Sequence, residues 1–349
     1  MPSSIRLSAL ALSLLLPFTQ ASAQQPDPAP PEPTGPIHLS VVVSDHSGQP
    51  LAGLTQQDFK VLDNKAIQPL LSFQALGGEQ APAEVVIVID AVNTTFSLVA
   101  SERDQIDRFL RAHEHLAHPV SLAVLTDTGL MAQRQSSTDG KALIDALDHS
   151  EIGLRSIRRS SGFWGADERL KVSLNALHQL GAIEESKPGR KLVMWVSPGW
   201  PLLSGPGIEL DARQEQQVFS TIVQISTELR RAHVSLYALD AVGARESVLR
   251  SSYYESFLKG VTKPREAVLG NLGLQVIAAQ TGGLVLNSND LTGQLERSIG
   301  DASAYYDITY TPPPAERRDE YHKIDVQIGK PGLAARTLTG YYSQPEAER

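Results

Sequence analysis

Two runs of nearly unbroken apolar residues constrain this chain most: Val85-Val86-Ile87-Val88-Ile89-Asp90 and Lys191-Leu192-Val193-Met194-Trp195-Val196. A strand that is apolar at successive positions, not at alternate ones, has to be covered on both faces, and helices on either side of a parallel sheet provide that cover. The segments around them supply the helices. Residues 101–116 read as a helix capped by Ser101, with Ile106, Phe109, Leu110 and His113 on one face. Thr138 or Asp139 caps a second, with Leu143, Ile144 and Leu147 inward. Residues 166–181 carry Leu170, Leu174 and Leu177, and 211–231 carry Val218, Ile222, Ile225 and Leu229. Further strands are predicted at 120–125, 233–239 and 284–286, with helix over most of 264–280 and over 290–302. Strand and helix alternate throughout, which makes 79–302 one α/β domain with a doubly wound, mostly parallel, Rossmann-like sheet.

The flanks follow a different pattern. Residues 37–43 and 59–64 read as strands, 54–59 as a short turn or helix, and 68–73 as a third strand. Past Ser303, strands are predicted at 305–311, 321–328 and 336–342, separated by Pro312-Pro313-Pro314 and Gly329-Lys330-Pro331-Gly332. Each flank holds ~40 residues, below the usual lower bound for a domain. Segments 37–78 and 303–343 are therefore predicted to pair into one small β-sandwich. Strands near 38–44 and 59–63 would share a sheet with those near 305–311 and 321–328, and 344–349 form a tail.

At the start of the chain, Arg6 precedes an apolar run from Leu7 to Phe18, and Ala21-Ser22-Ala23 follows. This is the layout of a secretory signal peptide over 1–23, cleaved after Ala23, and the run is too short to span ~30 Å of hydrocarbon. Pro26, Pro28, Pro30, Pro31, Pro33 and Pro36 make 24–36 an extended linker. No later segment approaches ~20 apolar residues, so the expectation is an exported protein, periplasmic or secreted, with no transmembrane segment after signal cleavage. A net charge of -8 runs against nucleic-acid binding, and the absence of cysteine excludes disulfides, thiolate zinc sites and thiol nucleophiles. The sequence holds no Gly-x-Ser-x-Gly elbow, Walker loop or Gly-x-Gly-x-x-Gly.

Several short patterns follow one another along the chain. Val43, Asp45, Gly48, Pro50, Leu54, Asp58 and Phe59 come first, then Ile89-Asp90-Ala91-Val92-Asn93-Thr94 and Thr281-Gly282-Gly283. Tyr306, Tyr310-Thr311-Pro312, Tyr321-His322-Lys323-Ile324 and Gly340-Tyr341-Tyr342 complete them. Over 37–343 this series resembles the von Willebrand factor A (VWFA)-related proteins exported by bacteria. The resemblance implies an A-type domain and binding instead of catalysis. In A-type domains that bind through a metal, it further implies Asp-x-Ser-x-Ser after the first strand, a Thr from one loop and an Asp from another.

Against that pattern Asp90 matches, Val92 stands where the first Ser belongs, and Thr94 replaces the second. Ser197-Pro198-Gly199 lacks the later carboxylate, and the loop Ser160-Ser161-Gly162-Phe163-Trp164-Gly165 offers no clear Thr, though Asp167 could stand in by position. Mg²⁺ needs most of its oxygens supplied or kept as water. Asp90 and Thr94 are thus degenerate metal candidates, and no cofactor is expected. The simpler reading has Asp90 and Asn93 capping their own turn, a lost Asp90 then costing about 1 kcal/mol. His113-Glu114-His115-Leu116-Ala117-His118 does not have the i, i+4 spacing of a zinc helix and reads as a polar helix end.

Trp195 is expected in the core, while Phe163, Trp164 and Trp200 lie in predicted loops near Asp90. The leading expectation is a binding module for a protein or a cell-envelope polymer, meeting it at the carboxyl end of the sheet through Asp90, Asn93, Thr94, Trp164, Ser197 and Trp200. Two alternatives stand beside it: an exported hydrolase using carboxylates on the same sheet, and an envelope scaffold that binds through the β-sandwich.

Overall fold

Residues 34–77, 81–149, 162–203, 209–242 and 252–345 are described by a computed structural model. The expected signal peptide, most of the linker, Ser160, Ser161 and the end of the tail lie outside them. Strands β1 (Ile37–Ser44), β2 (Phe59–Asp63), β3 (Ala66–Gln68) and β4 (Leu70–Gly77) lead into β5 (Ala83–Asp90). Next come α1 (Phe96–Ala112), β6 (His115–Thr126), β7 (Gly129–Ala132), β8 (Ser137–Asp139), α2 (Gly140–His149), α3 (Phe163–Glu185) and β9 (Arg190–Val196). They are followed by α4 (Ala212–Arg231), β10 (Val234–Asp240), α5 (Leu274–Gln280), β11 (Val285–Asn287) and α6 (Leu291–Gly300). The chain continues through β12 (Ala304–Tyr310), β13 (Glu320–Ile328), β14 (Ala334–Arg336) and β15 (Gly340–Ser343).

The central sheet runs β11-β10-β9-β5-β6-β7, with β8 paired to β6 as well. Counted from β5 and leaving out β8, this is the doubly wound order 3-2-1-4-5-6, parallel except where β7 and β8 pair with β6. Both faces are covered, as the two apolar runs require. Val86, Val88, Val193 and Trp195 pack under α3, α4 and α5, while Val85, Ile87, Ile89, Leu192 and Met194 pack under α1, α2 and α6.

The flanks build two four-stranded antiparallel sheets, β14-β1-β12-β4 and β15-β13-β2-β3. Each mixes strands from both ends of the chain: β1 pairs β12 from Ile37↔Tyr310 to Val41↔Tyr306, and β2 pairs β13 from Asp63↔Ile324 to Phe59↔Ile328. The expected single sheet is thus corrected to two, facing each other over Leu39, Val41, Phe59, Val61, Ile308 and Ile324. Splitting the strands lets both sheets bury an alternating apolar face. Residues 336–342, read as one strand, divide into β14 and β15, one in each sheet.

Three helical expectations also change. The first helix starts at Phe96, not Ser101, because Thr95 caps it by accepting from the Leu98 N–H at 3.3 Å. It ends at Ala112, and β6 takes over from His115. Pro119 is tolerated there because pairing of β6 with β5 begins only at Val120. Residues 264–280 contain only the short α5 after two 3₁₀ turns.

Candidate functional site

The reversal of strand order falls between β5 and β9, so the crevice where open α/β sheets take ligands lies at their carboxyl ends. Asp90 closes β5 and is fully buried. Its Oδ1 accepts from the backbone N–H groups of Val92 and Asn93, both at 3.0 Å. Its Oδ2 accepts from Asn93 Nδ2 at 2.9 Å and from the Trp195 indole Nε1 at 3.0 Å. A carboxylate offers about four acceptor positions, and here four protein donors face it. Val92 contributes only a backbone N–H, and Ser197 Oγ accepts from Gly199 N at 3.2 Å. Among the described residues no group of three His, Cys, Asp or Glu is placed to hold a metal ion.

Asn93 carries the network outward. Its Nδ2 also donates to Ser173 Oγ at 2.8 Å, and Ser173 in turn donates to the Arg169 carbonyl. Farther along, Lys187 pairs Glu184 at the end of α3 with Glu84 at the start of β5, each at 2.9 Å. Helix α3 therefore runs antiparallel to β5, and its first turn extends past the carboxyl end of the sheet. Trp164, expected in a loop, stands in that turn and is 77% exposed, with Phe163 edge-on to it at 5.8 Å. Phe96, also largely exposed, opens α1 just past the Asp90 loop. With Ser101 taken as the cap, the sequence reading leaves Phe96 outside the helix.

Asp90, Asn93 and Trp195 come together as one unit, with Thr94 buried alongside in the same loop. Trp200 does not join an exposed surface: it is buried and packs edge-on to Trp195 at 5.2 Å. Asp167 is engaged by Lys171 at 2.6 Å, one turn along α3. The histidine run ends a helix only at His113, whose N–H donates to the Leu110 carbonyl. His115 and His118 sit in β6, one exposed and one buried.

One group here escaped sequence reading. Glu102, on the inner face of α1, is fully buried, and neither carboxyl oxygen has a hydrogen-bond partner among the described residues. Burial pushes its pKa up to about 9, reinforced by the nearby charges of Asp90 and Asp240. The signal was present: Glu102 lies four residues before Ile106 and seven before Phe109, on the apolar stripe.

No family model matches the sequence, and no curated protein matches it. Solved structures do overlap its fold, though loosely. The human COPII-coat protein Sec24c shares 10% identity at a TM-score of 0.34, over 78% of this chain but only 44% of its own. A von Willebrand factor type A protein from Catenulispora acidiphila shares 9% at 0.33, over 89% of this chain and 74% of its own. The manganese-loaded TRAP protein of Plasmodium vivax shares 6% at 0.35, over 82% and 100%.

Proposed function

We propose that this chain is an exported binding module that recognises a protein or an envelope polymer through the carboxyl end of its central sheet, without a metal ion at Asp90. The observation that carries the reading is the exposed aromatic pair Phe163 and Trp164, held beyond that end by a helix anchored to the Asp90 loop. Exposed Trp on a rigid element is the residue type that dominates interface energetics. The sequence resemblance to VWFA-related proteins and the signal-peptide pattern support the same reading. A hydrolase using Asp90 is disfavoured, since a carboxylate already accepting four hydrogen bonds has no free lone pair for a substrate proton.

A second reading, a scaffold binding through the β-sandwich, has its own observation: Ile67 and Leu71 are 67% and 60% exposed on β3 and β4. Photo-crosslinkable residues placed at 164 and, separately, at 67 in the full chain decide between them in native envelope. Adducts from 164 that disappear on Phe163→Ala are expected. Adducts from 67 alone would overturn the proposal in favour of the scaffold.

A further inference from the structure

At the opposite end of the central sheet, a cleft of about 610 Å³ opens between the end of α4 and the first β-sandwich strand. Arg230 and Arg231 close α4, His233 follows at the turn into β10, and His38 comes from β1. On a chain of net charge -8, these four line a cleft whose one described carboxylate is Glu185. Neither arginine forms an ion pair with any described residue.

Two further features point to a ligand. His233 adopts φ 53°, the left-handed position just past a helix end where glycine is the usual residue. A side chain there costs about 1 kcal/mol, and the cost places an imidazole in the cleft edge-on to His38 at 5.5 Å. His38 is itself oriented by Thr309, whose hydroxyl lies 3.0 Å from its Nδ1. The shifts of these groups come first from burial, with neighbouring charges adding to it. Burial, then Arg231, lowers the Arg230 pKa, with Tyr341 and Tyr310 opposing. Burial, His38, Lys191 and Arg230 lower that of His233, opposed only by Asp307.

A helix C-terminus alone attracts Arg side chains, so two arginines there would be ordinary. That explanation accounts for neither the left-handed histidine nor the second histidine brought from another element. We propose that this cleft binds a phosphate monoester or free phosphate, with Arg230 and Arg231 as the primary cationic contacts and His38 and His233 as further donors. Phosphate is favoured over carboxylate because it offers a charge near −2 and three acceptor oxygens to a fork of guanidinium donors.

Calorimetry on the full chain at low salt tests this with inorganic phosphate, glycerol 3-phosphate, sulfate and citrate as probes. Saturable binding of a phosphate with a Kd below about 1 mM is expected. If glycerol 3-phosphate binds and inorganic phosphate does not, the ligand is an organic ester; equal binding means that free phosphate suffices. Arg231→Gln, at an exposed position that does not threaten folding, is expected to weaken binding about tenfold at an unchanged melting temperature. His233→Gly separates the two explanations directly. It should weaken binding while raising the melting temperature, because glycine takes the left-handed conformation freely. Absence of saturable heat with either phosphate, citrate binding as tightly as phosphate, or an affinity indifferent to Arg231→Gln would each overturn the proposal.

Discussion

Asp90 acts as a four-way hydrogen-bond acceptor, and that decides what its loss costs. Removing the carboxylate takes the acceptor from the buried Trp195 indole N–H and Val92 N–H and from two partly buried donors of Asn93. Asp90→Ala is thus expected to cost about 3 kcal/mol, well above a lost cap, measured by urea unfolding. With its oxygens already met, EDTA should leave the melting temperature within experimental error, and a drop comparable to that of Asp90→Ala would show that a metal completes the site. Glu102 gives a second residue-scale expectation. Burial raises its carboxyl pKa from 4.5 when unfolded to about 9 when folded, so the folded state alone keeps the proton between those values. Its contribution is complete below pH 4.5, declines by about 1.4 kcal/mol per pH unit above it, and is gone once the folded pKa is passed. Glu102→Gln keeps the shape and removes the titration. The variant should gain on the wild type steadily from pH 5 to pH 9, read from urea midpoints; parallel pH profiles would refute the assignment.

Among the elements, the ones legible in the sequence are those whose signals are local. β9 shows itself by an unbroken apolar run, and α4 by its Asp211–Gln214 capping box and its 3.6-residue stripe. β7 and β8, four and three residues long, carry too few positions to show a period and exist because the edge of β6 pairs them. The burial of Trp200 was equally invisible, since it depends on Trp195 in a strand it does not adjoin in sequence. The family-like patterns prove to be element joints. Tyr306 OH donates to the Leu51 carbonyl and accepts from Leu54 N, and Gly340 leaves room for the Tyr321 ring. In Thr281-Gly282-Gly283, the threonine hydroxyl accepts from Leu236 N, and a Cβ on Gly283 would fall 1.8 Å from the Leu236 carbonyl oxygen. Gly283→Ala must therefore push β10 aside and should cost at least about 2 kcal/mol. Gly300, at the end of α6 with open space around it, is the control: Gly300→Ala should be neutral or stabilise by up to about 1 kcal/mol. Equal losses at the two positions in urea titrations would contradict this account of the joint.

For the whole molecule, the question is whether the β-sandwich and the α/β layer fold as one. Two buried polar hubs bind the parts. Within the sandwich, Asp63 accepts from Tyr310 OH at 2.9 Å and Tyr341 OH at 2.6 Å, and it meets His322 Nδ1 at 2.8 Å, joining both sheets. Between the sandwich and the central sheet, Asp301 is nearly fully buried and its Oδ2 accepts from Tyr237 OH at 2.7 Å and from Arg336 of β14 at 2.5 Å. Arg190 donates to the Asp301 carbonyl at 2.8 Å and lies over the Tyr305 ring. Arg336 also donates to the Gly282 carbonyl, so one side chain from the sandwich holds two parts of the α/β layer. Because β1 and β2 pair with strands from the far end of the chain, a folded central layer lowers the loop-closure cost of the sandwich by bringing those ends together. One cooperative transition follows. All three tryptophans lie in the α/β layer and most tyrosines in or beside the sandwich, so tryptophan fluorescence and tyrosine near-UV dichroism report the two parts separately. Their urea midpoints should coincide in the wild type. Arg336→Ala leaves the Asp301 carboxylate buried without its cation and should lower stability by about 3 kcal/mol. Combining it with Asp301→Asn should recover part of that loss, since the stranded charge goes with it. Distinct midpoints in the wild type, or a double variant no more stable than Arg336→Ala, would mean that this contact does not couple the two parts.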